Sequence, residues 1–508
     1  MKINLTNPRF KVAFLNCDSS ISHCNSKVMQ VFSRMPKLML ERVIIIDHER
    51  IKNTTSYKCL PSDKFKNKAM FEACKYKTLY PENNIGYGTF KLNNINSDTL
   101  LNLFNLGDYQ ESSSNIMLVT CSSTDIKIVE EVKEITKNNR FQTFIHIHIE
   151  TGTYEDGGAI YTAMSQKGRV IQPYTSGFEY LNTGDLDSKQ MLSQSALAGA
   201  IASLVITNAI CFDYLEPPIK QFNINSMTCG WDEQSTTSTN SIKLLKPRKV
   251  TKKKGKKKKS KKSSSKFHFI LIGAGASGSF FLSEVLQQLS LNNEKVGNIV
   301  ICDGDVVERK NLQNQRCLPH EVGEYKVKAL AKRYNSVFPN LNIRYHCNYL
   351  FDFNEEKVKE LLGLETVKDE NIVVIGKVDQ HASRKVLHKG FLEINSARNF
   401  IYIDSGNGTI NREGQTVVGY KQYNKTILQP VATFSQDTSI IDNDEDIQKL
   451  FGCTQLSTEH PQNITSNILS ARTAANYVDK IILDNEIPTH YTLFNLEPIS
   501  MRSMKITN

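Results

Sequence analysis

None of the 11 cysteines in this 508-residue chain lies in a Cys-x-x-Cys pair. That spacing is what a structural zinc of the paired-cysteine kind uses, so no such centre is expected. The cysteines are odd in number and widely scattered. The N-terminus, MKINLTNPRFKVAFLN, has no apolar stretch leading to a small-residue cleavage site. Reduced thiols and a cytoplasmic location are therefore expected, rather than a disulfide framework and a secretory route. No apolar run approaches the roughly 18 to 20 residues that a membrane-spanning helix needs, so no membrane partner is expected. A hydrophobic fraction of 40% and a charged fraction of 23% exclude collagen-like, coiled-coil and wholly disordered chains. The length suits two or three domains, each able to bury its own core.

Acidic residues are missing from one stretch. Between Lys243 and Lys266 there are 14 Lys or Arg and no Asp or Glu; taking these 14 from the net charge of +11 leaves −3 for the remainder. Like charges at this density repel and cannot pack, so residues 243–266 read as a disordered, Lys-rich linker. Basic runs bind phosphates without sequence preference, so any contact with nucleic acid falls to this linker.

The linker separates two stretches that repeat each other. The second opens with FHFILIG, AGASGSFFLSEVLQQL and NIVICDGDVV: a buried strand, a glycine turn into a helix, and a strand ending in acids. The first opens in the same order with KVAFLNCDSS, a helical stretch and ERVIIIDHERI. CLPSDKFKNKA from Cys59 matches CLPHEVGEYKVKA from Cys317, placing Lys68 against Lys326. NIMLVTCSS matches NIVVIGKVD, and RFQTFIHIHIETG matches RNFIYIDSGNG. Both stretches finish with an alanine-rich helix. The repeats part company where chemistry would sit. Gly273, Gly275 and Gly278 face Asn16, Asp18 and Ile21; Gly323 faces Phe65, and Asp379 faces Ser123. Glycine lets a phosphate approach backbone N–H groups at a helix N-terminus, so only the second repeat reads as competent to bind a nucleotide.

A Gly-x-Gly-x-x-Gly turn is shared by NAD, FAD and adenylate binders. Asp303, ending the next strand, suits the ribose hydroxyls in any of them. Beyond it, the run DGDVVERKNLQNQRCLPHEVGEYK contains Asp303, Asp305, Asn311, Gln315, Gly323 and Lys326, and VDQHASR follows with Asp379 and Arg384. Together they resemble the ThiF and ubiquitin-activating-enzyme (E1-like) adenylyltransferase superfamily, over most of residues 267–480. The weakened echo in the first half resembles the family members that pair an inactive with an active adenylation domain.

The resemblance implies an α/β chain of two tandem Rossmann-like, ThiF-type domains forming an intramolecular pseudo-dimer. Residues 1–220 would be the degenerate copy, 221–242 a connecting segment, and 267–508 the active domain. It implies ATP and Mg²⁺, with Asp303 on the ribose, Lys326 on the phosphates and Asp379 on the metal. Asn311 and Gln315 would add hydrogen bonds around the phosphates. The family's motif arginine falls on Asn314, so Arg316, two places on, or an arginine from the other half would supply that charge. The segment 441–463 contains FGCTQLSTEHPQN, in which Cys453, Thr454 and Pro461 resemble the family's acceptor-cysteine stretch. A thiol there is the right group for a labile thioester.

The implied reaction is adenylation, then thioester formation, at the C-terminal carboxylate of a ubiquitin-like protein, with a conjugating enzyme as a further partner. Adenylation for sulfur transfer or peptide modification is the alternative within the family. From other classes come a nicotinamide or flavin oxidoreductase and a non-enzymatic scaffold. His146, His148 and Glu150 share one face of a strand; that pattern is compatible with a metal but shows no fourth ligand.

Overall fold

A computed structural model of the chain describes residues 9–16, 18–32, 40–52, 59–80, 83–93, 95–104, 112–138, 141–154, 157–174, 188–223, 227–230, 241–246, 266–379, 381–407, 412–430 and 462–504. Cys453 and most of the Lys-rich run lie outside the described residues.

The first half runs β1 (Phe10–Leu15), α1 (Ser19–Phe32), β2 (Leu40–Ile46), α2 (Lys68–Leu79), β3 (Ile85–Gly88), α3 (Ser97–Leu103), β4 (Ser112–Cys121), α4 (Ile126–Asn138), β5 (Phe141–Tyr154), β6 (Gly157–Gln166), β7 (Arg169–Gln172), α5 (Ser188–Cys211), β8 (Ile219–Asn223) and β9 (Thr228–Gly230). After the short strand β10 (Ile242–Lys243), the second half follows the same order. It has β11 (Phe267–Ile272), α6 (Ala276–Leu291), β12 (Val296–Cys302), α7 (Lys326–Val337), β13 (Ile343–His346), α8 (Glu355–Leu362) and β14 (Asn371–Gly376). It continues through α9 (His381–Glu393), β15 (Asn399–Asn407), β16 (Glu413–Gln422), β17 (Lys425–Leu428), α10 (Gln462–Asp484), β18 (Glu486–Ile487), β19 (Tyr491–Leu496) and β20 (Ile499–Met504).

Strands such as FHFILI and NIVVIG are mostly apolar and buried along their whole length. That is the signature of a parallel sheet covered on both faces. Parallel pairing gives the order β3-β2-β1-β4-β5 in the first half. It gives β13-β12-β11-β14-β15 in the second. Each half then turns antiparallel, at β6 and at β16. A bridge between Met501 of β20 and Cys229 of β9 joins the two into one 18-stranded sheet.

Backbone turns recur with the elements. Asn16 (φ 57°) and Gly273 (φ 92°) both adopt left-handed backbone after the first strand. Phe65 (φ 70°) and Gly323 (φ 94°) do so before α2 and α7. The first half thus makes these turns with Asn16 and Phe65 where the second has glycines, at a cost its surroundings offset.

Two features differ from the sequence reading. The halves do not finish on their alanine-rich helices: β8 and β9, and β19 and β20, follow them, and these strands make the join between the halves. The segment beyond residue 220 thus contributes to the first half's sheet. The helix Met191–Cys211 is also long and apolar enough, by length and composition, to cross a membrane. Its Ser, Thr, Gln and Asn residues interrupt any single apolar run, and in the fold it is almost wholly buried.

Candidate nucleotide site

The order β13-β12-β11-β14-β15 reverses direction between β11 and β14; in open α/β sheets ligands bind beyond the carboxyl ends of the strands at such a reversal. The turn after β11 lies at that point. Gly273 donates its N–H to Cys302 O at 3.0 Å, and its left-handed φ of 92° suits glycine. A Cβ on Gly273 would meet Lys377 O at 2.4 Å, and one on Gly278 would meet Gly273 O at 2.0 Å. A Cβ on Gly275, the N-cap of α6, would meet nothing within 4 Å. The first and third glycines are therefore demanded by packing, whereas the second leaves open space in front of a helix N-terminus. Such an opening accepts an anion.

The first half closes the same opening with its own carboxylate. Asp18, at the position of Gly275, accepts from Ile21 N at 2.9 Å and from Ser20 Oγ at 2.6 Å. Burial raises the Asp18 pKa, while these hydrogen bonds oppose the rise.

Around the open turn the predicted acids and lysine come together. Asp303 accepts from Ala274 N at 2.6 Å and from Asp305 N at 2.8 Å, so it ties the glycine turn to the end of β12. Burial raises its pKa, against the two backbone N–H groups. Asp305 Oδ2 lies 2.7 Å from Lys326 Nζ, and the Tyr349 hydroxyl donates to Asp305 Oδ1. Burial alone would raise the Asp305 pKa; the Lys326 and Tyr349 hydrogen bonds outweigh it and bring a net lowering. The Lys326 side chain is only 6% exposed, which is tolerable because its charge is matched.

Asn311 is buried and its Oδ1 accepts from Glu308 N at 2.9 Å, so its carbonyl end shapes the turn after Asp305. Gln315, four residues on, is also buried, and its backbone N–H donates to Asn311 O. Arg316 is turned onto α6: Nη1 donates to Ser283 Oγ at 2.8 Å, and the guanidinium stacks over Phe280. Asp379 is exposed at the end of β14. Arg384 braces that loop by donating from Nη2 to Val378 O at 2.7 Å and from Nε to Asp404 Oδ1 at 3.2 Å.

Sequence reasoning passed over Lys377. It directly follows β14 with its side chain buried, and its Nζ donates to Ser470 O on α10 at 3.1 Å. Burial pulls its pKa down to about 7, although Asp404 opposes this. Ser470 Oγ in turn meets Ser277 Oγ of the glycine turn's helix and Ser405 Oγ of β15. The only sequence signal was a cation directly after a buried strand.

His146 and His148 are buried, and both reach the hydroxyl of Thr120 at 2.8 Å. Burial lowers the pKa of both. Among the described residues no group of three or more His, Cys, Asp or Glu is placed to hold a metal. None of the nine described cysteines is in a disulfide, and burial pushes the Cys302 thiol up to about 12.

Strand order, glycine turn and the acid at the end of β12 define a Rossmann-type half. More narrowly, residues 248–406 match the ThiF family, so this part of the chain is a ThiF-family domain. No curated protein matches the chain. Among solved structures the chain is similar to MccB of E. coli, crystallised with AMPCPP and selenomethionine MccA. Identity is 16% and the TM-score 0.34; the match covers 47% of this chain and 64% of the MccB chain, less than two thirds of its length.

Proposed function

We propose that the chain adenylates the C-terminal carboxylate of a ubiquitin-like protein with ATP and then carries it as a thioester. The observation that carries this reading is the open N-terminus of α6 at Gly275, flanked by the Lys326–Asp305 pair within the ThiF domain. A dinucleotide oxidoreductase would share the glycine turn and Asp303, but it has no evident use for a buried lysine on this side of the turn.

In this reading the α6 N–H groups and Lys326 hold the phosphates, and Lys326 exchanges some of its bond to Asp305 for them. Asp303 holds the ribose and keeps the glycine turn in place. Asn311 and Gln315 shape the rim around the phosphates. A carboxylate oxygen of the partner attacks the α-phosphorus, the bond to the β-phosphate oxygen breaks, and pyrophosphate leaves. Anion meets anion in that step, so matched cations are what lower its barrier.

Magnesium needs few protein ligands, because phosphates and water fill most of its octahedron. A single exposed carboxylate on a braced loop, Asp379, fits that requirement. When bound there, the ion would neutralise phosphate charge.

Cys453 is proposed to take the acyl group next: its thiolate attacks the acyl carbon, AMP leaves, and a thioester forms. The first half is proposed as a non-binding buttress, paired with the second as a pseudo-dimer. A conjugating enzyme would receive the thioester, and ATP supply points to the cytoplasm. The test is a reductant-sensitive adduct with a candidate ubiquitin-like protein. Cys453→Ala should abolish the adduct and leave pyrophosphate exchange intact. An adduct that survives the substitution refutes the role of Cys453. Exchange without any adduct in the wild type refutes thioester formation.

A further inference from the structure

The helices α1 and α6 are counterparts in the two repeats. Each follows the first strand, and Ser22 N bonds Asp18 O where Ser279 N bonds Gly275 O. Counting along both helices from those bonds makes Lys27 the counterpart of Glu284. The two are also direct partners: Lys27 Nζ lies 2.9 Å from Glu284 Oε1, and each side chain is 2% exposed. A position that meets its own counterpart sits at the local two-fold relation between the repeats. In a symmetric pair of identical subunits, such a position sets a residue against itself. Here it holds opposite charges, which only non-identical halves can supply.

The surroundings follow the same division. From the second half, Arg472 of α10 donates to Glu284 Oε2 at 3.3 Å and to Asp479 Oδ2 at 2.5 Å. From the first half, Ser193 of α5 donates to Asp479 at 2.8 Å, and His23 Nδ1 lies 4.0 Å from Glu284 Oε2. The second half thus brings Glu284, Asp479 and the Arg472 guanidinium that contacts both, with Arg316 a further cation acting on Lys27, and the lysine of the first half pairs with Glu284. Two copies of the second half would set Glu284 against Glu284 at this position. Two copies of the first would bury two lysines with no carboxylate from this cluster. Uncompensated buried charge strongly disfavours an interface, whereas a matched pair is tolerated.

We propose that the Lys27–Glu284 pair selects the partner of the ThiF half: it admits a first-half fold bearing a cation at this helix position and rejects a second ThiF half. The inference rests on the paired-repeat reading above. It is tested on the full chain, without ATP, so its outcome is separate from that of adenylation.

Lys27→Glu and Glu284→Lys each set like charges together and should lower the thermal midpoint. The double reversal, Lys27→Glu with Glu284→Lys, should recover most of that loss. Co-expressing the two single-reversal chains with different tags is the stricter test. Exchange of halves between those chains restores opposite charges at both contacts, so each tag should capture the other chain in a two-chain complex. Wild type co-expressed with the double reversal gains nothing by exchange and should give no such complex. Wild-type midpoints in the single reversals would overturn the proposal. So would a double reversal no more stable than the singles, or single-reversal chains that do not capture each other. If the singles fail to accumulate alone, the double reversal and the co-expressed pair still decide the matter.

Discussion

Lys326 Nζ and Asp305 Oδ2 meet at 2.7 Å, the lysine buried and the carboxylate side chain 44% exposed. The half-exposed acid holds the lysine in place without sealing it in. Lys326→Met should therefore cost pyrophosphate exchange on the order of 100-fold or more, as losing a cation aimed at reacting phosphate does. Stability should change by no more than about 1 kcal/mol, because a half-exposed ion pair contributes little. A variant that exchanges at the wild-type rate removes Lys326 from the site.

The glycines separate packing from binding. Gly278→Ala drives a methyl group into Gly273 O and should destabilise the fold as well as abolish nucleotide binding. Gly275→Ala meets no protein atom, so its thermal midpoint should match the wild type while ATP affinity falls. Calorimetric titration beside thermal melts checks both. Unimpaired ATP binding by Gly275→Ala would show that the phosphates do not sit at the N-terminus of α6.

Asp18 caps α1, where the second half has Gly275. Asp18→Ala should cost about 0.5–2 kcal/mol, the usual range for a lost N-cap, measured by urea unfolding. The stoichiometry should stay at one ATP per chain. Two nucleotides per wild-type chain would contradict the buttress reading of the first half.

How far the sequence reaches is clear from these residues. That Gly273, Asp303 and Lys326 gather at one turn was legible because each stands at a fixed place in a strand–turn–helix pattern, and local spacing carries that information. Phe65 and Asn16 marked the repeat even where the glycines were gone. Lys377 with Ser470, and Lys27 with Glu284, were not legible, since each pair is far apart in sequence and only the fold brings it together. Arg316 is the intermediate case. Its number in the chain suggested the phosphates, but its side chain lies on Ser283 and Phe280, a choice made by α6 packing.

Lys377 predicts a pH dependence. Folded, its ammonium loses its proton near pH 7; unfolded, it does so near the ordinary lysine value of about 10.4. Between these values the unfolded chain holds more protons, so this group makes stability rise with pH across that window. Below the window the buried charge is a standing cost. The stability of Lys377→Met relative to wild type should therefore be highest at or below about pH 7 and should decline toward about pH 10. Urea midpoints at several pH values measure it. A difference that does not vary with pH would refute the lowered lysine.

The proposed function depends on ATP chemistry in the second half. Its most direct test is pyrophosphate–ATP exchange by the full chain, with Mg²⁺ and candidate ubiquitin-like proteins, set beside Asp379→Ala and an NAD(H) titration. Exchange should depend on the ubiquitin-like partner, be lost in Asp379→Ala, and be accompanied by no tight NAD(H) binding. Tight NAD(H) binding with no exchange would contradict it.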